Sequence, residues 1–167
     1  ADTGQCDVAE QCTGSSGSCP GDAFEPSTTS CTGASQGDVC DDDPADHCTG
    51  AADSCVDVFK ASTTVCRADT GQCDVAEQCT GTSGSCPIDA FEPTSTTCTG
   101  SSQGGICDAT DHCSGAADSC LDEYEPSTTV CRADTGQCDV AEQCTGSSGS
   151  CPGDAFEPLT TSCTGAS

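Results

Sequence analysis

Twenty cysteines in 167 residues recur in a fixed rhythm, and that rhythm limits what the chain can fold into more than any other feature. They fall into fours: Cys6, Cys12, Cys19 and Cys31; Cys40, Cys48, Cys55 and Cys66; Cys73, Cys79, Cys86 and Cys98; Cys107, Cys113, Cys120 and Cys131; Cys138, Cys144, Cys151 and Cys163. The gaps inside a group stay close to 6, 7 and 12 residues, which makes the chain a tandem array of five small modules at 1–33, 34–67, 68–100, 101–132 and 133–167. A longer period lies above this one. Residues 1–35 and 133–167 differ at a single position, Ser27 against Leu159, so the odd modules are near copies and the even modules form a second kind. The repeating block is two modules long, and its phase leads us to expect further repeats on either side.

Cysteine at this density belongs to disulfide scaffolds of an oxidising, extracellular-type compartment. Large apolar side chains are scarce, with one Tyr, four Phe and no Trp or Met, so modules this small need covalent links to hold a fold. Four cysteines per module suggest two bonds per module in one of three pairings if all are internal, and bonds to a neighbouring module are equally open. One aromatic per module, Phe24, Phe59, Phe91, Tyr124 or Phe156, recurs in one slot and reads as a plug packed against sulfur. Gly, Ser, Thr, Asp and Pro interrupt every stretch, so turns and short hairpins are expected to dominate, with Asp7 to Gln11 the best place for one helical turn. The fold class expected is therefore small disulfide-rich repeats with little regular secondary structure, stacked as a tandem array into an elongated rod or filament.

The formal charge of −25, from 28 acidic residues against three basic ones, excludes ordinary nucleic-acid binding and attraction to anionic membranes, and no apolar run is long enough to span a bilayer. Acidic surfaces also keep repeats soluble, yet these carboxylates hold set distances from the cysteines. The odd modules place Asp7, Glu10 and Asp22; Asp74, Glu77 and Asp89; and Asp139, Glu142 and Asp154 in equivalent positions. The even modules place Asp43, Asp46 and Asp57, and Asp108, Asp111 and Asp122. Three oxygen-bearing side chains gathered by disulfides, with backbone carbonyls completing the shell, suit Ca2+ as a structural cation, and solvated surface acids are the plain alternative.

The string from Cys66 to Cys98, C-R-A-D-T-G-Q-C-D-V-A-E-Q-C-T-G-T-S-G-S-C-P-I-D-A-F-E-P-T-S-T-T-C, resembles the C-terminal half of the disintegrin domains of snake-venom metalloproteinases and their animal ADAM relatives. The likeness covers the odd modules well and the even ones in part. It implies a structural Ca2+ site at the same odd-module carboxylates. It also implies an adhesive loop at Asp69, Thr70 and Gly71, and again at Asp134, Thr135 and Gly136, although the loop carries no R-G-D.

Clusters of hydroxyls precede the last cysteine of each module: Ser27, Thr28 and Thr29; Ser62, Thr63 and Thr64; Thr94, Ser95, Thr96 and Thr97; Ser127, Thr128 and Thr129; Thr160 and Thr161. Beside proline they suit O-glycosylation, while the absence of any Asn rules out N-linked sugars. Catalysis has little support, because the odd modules lack His and the two histidines, His47 and His112, sit alone in the even ones. The expected function is a structural component of an extracellular fibre, stalk or surface appendage, which self-associates or continues as a longer covalent array. The alternative is an adhesive module that presents the repeated loops to a cell-surface or matrix partner.

Overall fold

The computed structural model describes residues 3–165. Its regular structure is confined to two- and three-residue antiparallel strand pairs and one 3-10 turn, Asp43–Ala45. The module core is made of sulfur: Cys6, Cys40, Cys48, Cys73, Cys79, Cys107, Cys113 and Cys144 are the buried apolar side chains. This follows from composition, since no other apolar residue type is abundant enough to be enclosed by so short a repeat.

Each module closes on itself through backbone pairing. The residue after its first cysteine pairs antiparallel with its aromatic, as Asp7 with Phe24 where β1 (Asp7–Val8) meets β2 (Ala23–Phe24), and as Asp41 with Phe59, Asp74 with Phe91, Asp108 with Tyr124 and Asp139 with Phe156. The helical turn expected over Asp7 to Gln11 is therefore replaced by a strand. The Glu25 N–H donates to the Cys6 carbonyl at 2.9 Å and fixes the chain beside β1 as a ladder, which a turn of helix at Asp7 would break. The aromatics are half-buried except Phe156, which is 68% exposed.

All eight disulfides join successive modules, and none closes a module on itself. The first cysteine of one module bonds the second of the next, as Cys6–Cys48, Cys40–Cys79, Cys73–Cys113 and Cys107–Cys144. The fourth bonds the third of the next, as Cys31–Cys55, Cys66–Cys86, Cys98–Cys120 and Cys131–Cys151. Cys12, Cys19, Cys138 and Cys163, read from sequence as disulfide residues, are exposed thiols here.

Backbone follows sulfur at every junction. Cys48, Cys79, Cys113 and Cys144 donate their N–H groups to the carbonyls of Thr29, Thr64, Thr96 and Thr129 at 2.9–3.0 Å. The strand Val65–Arg67 of module 2 pairs with Glu77–Gln78 of module 3, and Val130–Arg132 pairs with Glu142–Gln143 in the same way. By its contacts the chain divides into two compact units, Ala1–Ala68 with Ala76–Asp89, and Asp69–Val75 with Ala90–Ser167. The division runs through module 3. Its Cys79 and Cys86 lie with the modules before it, and its Cys73 and Cys98 with those after it. The structural unit is thus the junction, staggered against the sequence repeat.

Candidate cation centre

Two junction chemistries alternate along the chain, and they decide where uncompensated carboxylates collect. Where an even module meets the odd one after it, the N–H of Cys40 or Cys107 donates to the carbonyl of Gly84 or Gly149, at 2.8 and 3.0 Å. The guanidinium of Arg67 then bridges Glu77 and Asp89 at 2.8 and 2.9 Å and donates to the Pro87 carbonyl at 3.1 Å. Arg132 repeats this with Glu142, Asp154 and Pro152.

Where an odd module meets the even one after it, a carboxylate replaces the glycine carbonyl. Asp53 accepts from the Cys6 N–H at 3.0 Å and from the Thr3 hydroxyl at 3.3 Å, and Asp118 accepts from Cys73 and Thr70 at 3.0 and 3.2 Å. Any side chain at Gly4 or Gly71 would run into these carboxylates. No arginine follows the last cysteine here, because the sequence reads Thr32-Gly33 and Thr99-Gly100 instead. The acidic pair of the even module rests on backbone N–H groups and neutral side-chain donors such as the Gln36 amide, which donates to Asp46 at 3.3 Å. Asp46 accepts from Gly33 and Val58 at 3.1 and 2.8 Å, and Asp57 from Ser35 at 3.0 Å. A Cβ at Gly33 would meet both carboxylates, so glycine is what admits them.

Module 2 gathers the densest group. Asp41 is 4% exposed and Asp46 1% exposed, and both oxygens of Asp41 and Oδ1 of Asp57 are buried with no hydrogen-bond partner. Burial pushes the Asp41 carboxyl up to about 6, helped next by the Asp43 carboxylate beside it and then by the charges of Asp46 and Asp57. The lysine of module 2, Lys60, is engaged elsewhere, donating to the Val39 carbonyl at 2.8 Å. Buried carboxylate oxygens without donors are what a hard cation with oxygen ligands satisfies.

In module 4 the group is thinner. Oδ1 of Asp108 is buried without a partner, but Oδ2 accepts from Gly104 at 2.9 Å and no counterpart of Asp43 is present. The hydroxyl of Ser101 donates to Asp122 at 2.5 Å and, with the backbone N–H of Ser102, holds that carboxyl below its ordinary value.

The odd-module trios have other partners. Arginine bridges the Glu and Asp of modules 3 and 5, while Asp74 and Asp139 accept from the backbone N–H and hydroxyl of Thr70 and Thr135. In module 1, Asp7 accepts from Thr3, and Glu10 accepts from the Ala23 N–H at 2.8 Å. The sequence set the metal-ligating expectation over both kinds of module and, through the resemblance, more firmly on the odd kind, whereas the buried unpartnered carboxylate oxygens among the described residues lie in the even kind. Sequence reasoning missed Asp41, whose signal is its place directly after the module's first cysteine, as with Asp7, Asp74, Asp108 and Asp139. It missed the arginines as well, although two of only three basic residues stand at the same place after an even module's last cysteine.

Cysteine offers no metal site among the bonded groups. The sulfurs of Cys6, Cys31 and Cys48, and those of the three equivalent triads, lie within 4.8 Å of one another, but disulfides consume them. The hydroxyl clusters divide in two. Thr29, Thr96, Thr129 and Thr161 donate to the Glu four residues earlier and lock a turn begun by Pro. Ser27, Thr28, Ser62, Thr63, Thr94, Ser95, Ser127, Thr128 and Thr160 are exposed. The loop of Asp69, Thr70 and Gly71 is taken up in its junction through the Thr70 hydroxyl and the close approach of Asp118 to Gly71. No family model matches this chain, and neither a curated protein nor a solved structure gives a match.

Proposed function

We propose that this chain is a load-bearing stretch of an extracellular fibre, stalk or surface appendage built from disintegrin-like repeats. The observation that carries the reading is the pairing rule. Each module is covalently tied to the next by two disulfides as well as by the backbone, so tension passes from module to module through sulfur. A binding or catalytic module has no use for such redundancy along its length, whereas an array that must survive pulling and proteolysis does. Structural Ca2+ belongs to the reading in the even modules, at Asp41, Asp43, Asp46 and Asp57 and, with fewer unpartnered oxygens, at Asp108, Asp111 and Asp122. The ion would neutralise buried carboxylates where the odd modules use arginine, so each junction would have its cation. O-linked sugars would sit on the exposed first hydroxyls of each cluster and leave Thr29, Thr96, Thr129 and Thr161 to their glutamates.

Immunogold electron microscopy of the material that carries this protein tests the proposal. Label along surface fibres that fall apart in reductant is expected, and label confined to the cell interior would overturn it.

A further inference from the structure

Phe156 stands 68% exposed beside a cavity of about 390 Å3 lined by Thr135, Gly136, Cys138, Asp139 and Cys163, whereas its counterparts Phe24 and Phe91 are half-buried. We propose that this cavity is a docking site for a module of the even kind, which enters through its Cys-Thr/Ser-Gly-Ala-Ala-Asp-Ser-Cys segment and is locked there by two disulfides.

Such docking would continue the junctions already formed. Modules 1 and 3 hold the same segment of modules 2 and 4 with the same residue types. Thr3 and Thr70 supply the hydroxyl, Cys6 and Cys73 the backbone donor, and Gly4 and Gly71 the space for Asp53 and Asp118. Module 5 keeps every one of these groups, as Thr135, Cys138 and Gly136, and both of its thiols are free. The neighbouring Cys163 side chain, then burial and the Glu157 charge, hold the Cys138 thiol above its ordinary value.

Selectivity for the even kind comes from two mismatches that an odd module would bring. Its segment carries glycine where the even kind carries aspartate, as at Gly17, Gly84 and Gly149, so the Cys138 N–H and the Thr135 hydroxyl would gain no carboxylate. It would also bring a Glu and Asp pair of the type bridged by Arg67 and Arg132 to a place where Thr164 follows Cys163 and no guanidinium is present. A second folded copy of this chain does not fit either. Its even modules have spent Cys48, Cys55, Cys113 and Cys120, and its free Cys12 and Cys19 belong to the odd kind. The occupant is an even module whose second and third cysteines are unbonded.

Locking is thiol–disulfide exchange with glutathione disulfide as oxidant. Cys138 takes one half of the oxidant and releases one glutathione, then the incoming thiolate displaces the other half as a second glutathione. Each bond therefore sends two electrons and two protons to one glutathione disulfide, and Cys163 repeats the step.

The test uses the whole oxidised protein in a glutathione buffer with three synthetic peptides: residues 44–60 of the even kind, the same peptide with Asp53→Asn, and residues 75–91 of the odd kind. Disulfide mapping by mass spectrometry is expected to find Cys138 bonded to peptide Cys48 and Cys163 to peptide Cys55. The first peptide should be captured about tenfold more than either of the others, as loss of a charge-assisted hydrogen bond implies. Equal capture of all three, the reverse pairing, capture at Cys12 and Cys19 to the same extent, or an internal Cys138–Cys163 bond that survives the peptide would each overturn the proposal. It rests on the array reading, and the same map separates the two. Failure to find the eight internal bonds refutes the array, and finding them without capture refutes the docking site alone.

Discussion

A protease that cuts after Lys and Arg has three sites in this chain, Lys60, Arg67 and Arg132, and every one of them is bridged by sulfur. Cys40–Cys79 spans the cut at Lys60, and the cut at Arg67 is spanned by that bond and by Cys66–Cys86. Cys107–Cys144 and Cys131–Cys151 span the cut at Arg132. The disulfide-intact protein, digested in mild urea with its free thiols alkylated, should keep its full mass plus one water per cut and fall into four pieces only on reduction. The mechanical consequence can be sized. From Cys6 the covalent path crosses to Cys48, runs back to Cys40, crosses to Cys79, runs back to Cys73, crosses to Cys113, runs back to Cys107 and crosses to Cys144. None of the three cut sites lies on it. Its short backbone stretches and four crossings of 5.4–5.5 Å between Cα atoms give about 90 Å when taut, against about 480 Å for the reduced chain between the same residues. Optical-tweezers extension should therefore stop at the shorter length both before and after digestion, and only reductant should release the rest. Pieces that separate without reductant, or a digested molecule that parts under load, would refute the pairing rule and the load path built on it.

Arg67→Met should lower stability by about 1–3 kcal/mol in urea titration, because it takes from Glu77 and Asp89 the guanidinium that their junction is folded around; a loss no larger than for an exposed surface site would contradict that role. Calorimetric titration should find Ca2+ binding that Asp41→Asn weakens by about tenfold or more and that Asp74→Asn leaves nearly unchanged; the reverse order would place the ion in the odd modules. In EDTA the pH dependence follows from the Asp41 carboxyl, raised from 3.8 to about 6 in the folded state. The folded form then holds the proton more tightly, so this group's contribution is fully present below 3.8 and is lost as pH rises through about 6. The urea midpoint should accordingly fall between pH 3.8 and about 6 and level off above that, Ca2+ should restore it, and Asp41→Asn should flatten it. A midpoint that rises over that interval would count against the buried cluster.

Much of this architecture was legible because cysteine spacing is a covalent property. The modules, the scarcity of helix and strand, and the two-module period are all visible in the spacing from Cys6 to Cys163. The partner of each cysteine was not, because in-module and between-module pairings close loops of similar size and therefore of similar entropy. Cys40 illustrates the point: nothing in its local sequence prefers Cys79 to Cys66, and the choice is made by strands and hydrogen bonds such as Cys79 to Thr64 that exist only once two modules meet. The carboxylates were legible as a set but not in their loading. Whether an acidic pair is neutralised depends on residue 67 or 33, which belongs to the module before it.

The alternation of the two kinds of module follows from the same dependence. Every junction needs an acceptor for the N–H of a first cysteine and donors or positive charge for the acidic pair that arrives with the next module. Glycine with arginine meets both needs at Cys40, and aspartate with backbone N–H groups meets them at Cys6, but the solutions do not mix. Two odd modules in succession would meet with neither the carboxylate nor the guanidinium. An even module following module 2 would set its aspartate against Asp38, which stands in the slot that Gly4 fills in module 1 and which packs beside Gly84 in the junction as it is. Like charges would then face each other where contact distances leave no room to separate them. Because each junction tests its own two neighbours, insertion or loss of one module leaves one mismatched junction, whereas insertion of an odd–even pair leaves none. An array under such local selection grows by pairs, which is why residues 1–35 and 133–167 could remain the same at all but one position across the modules between them.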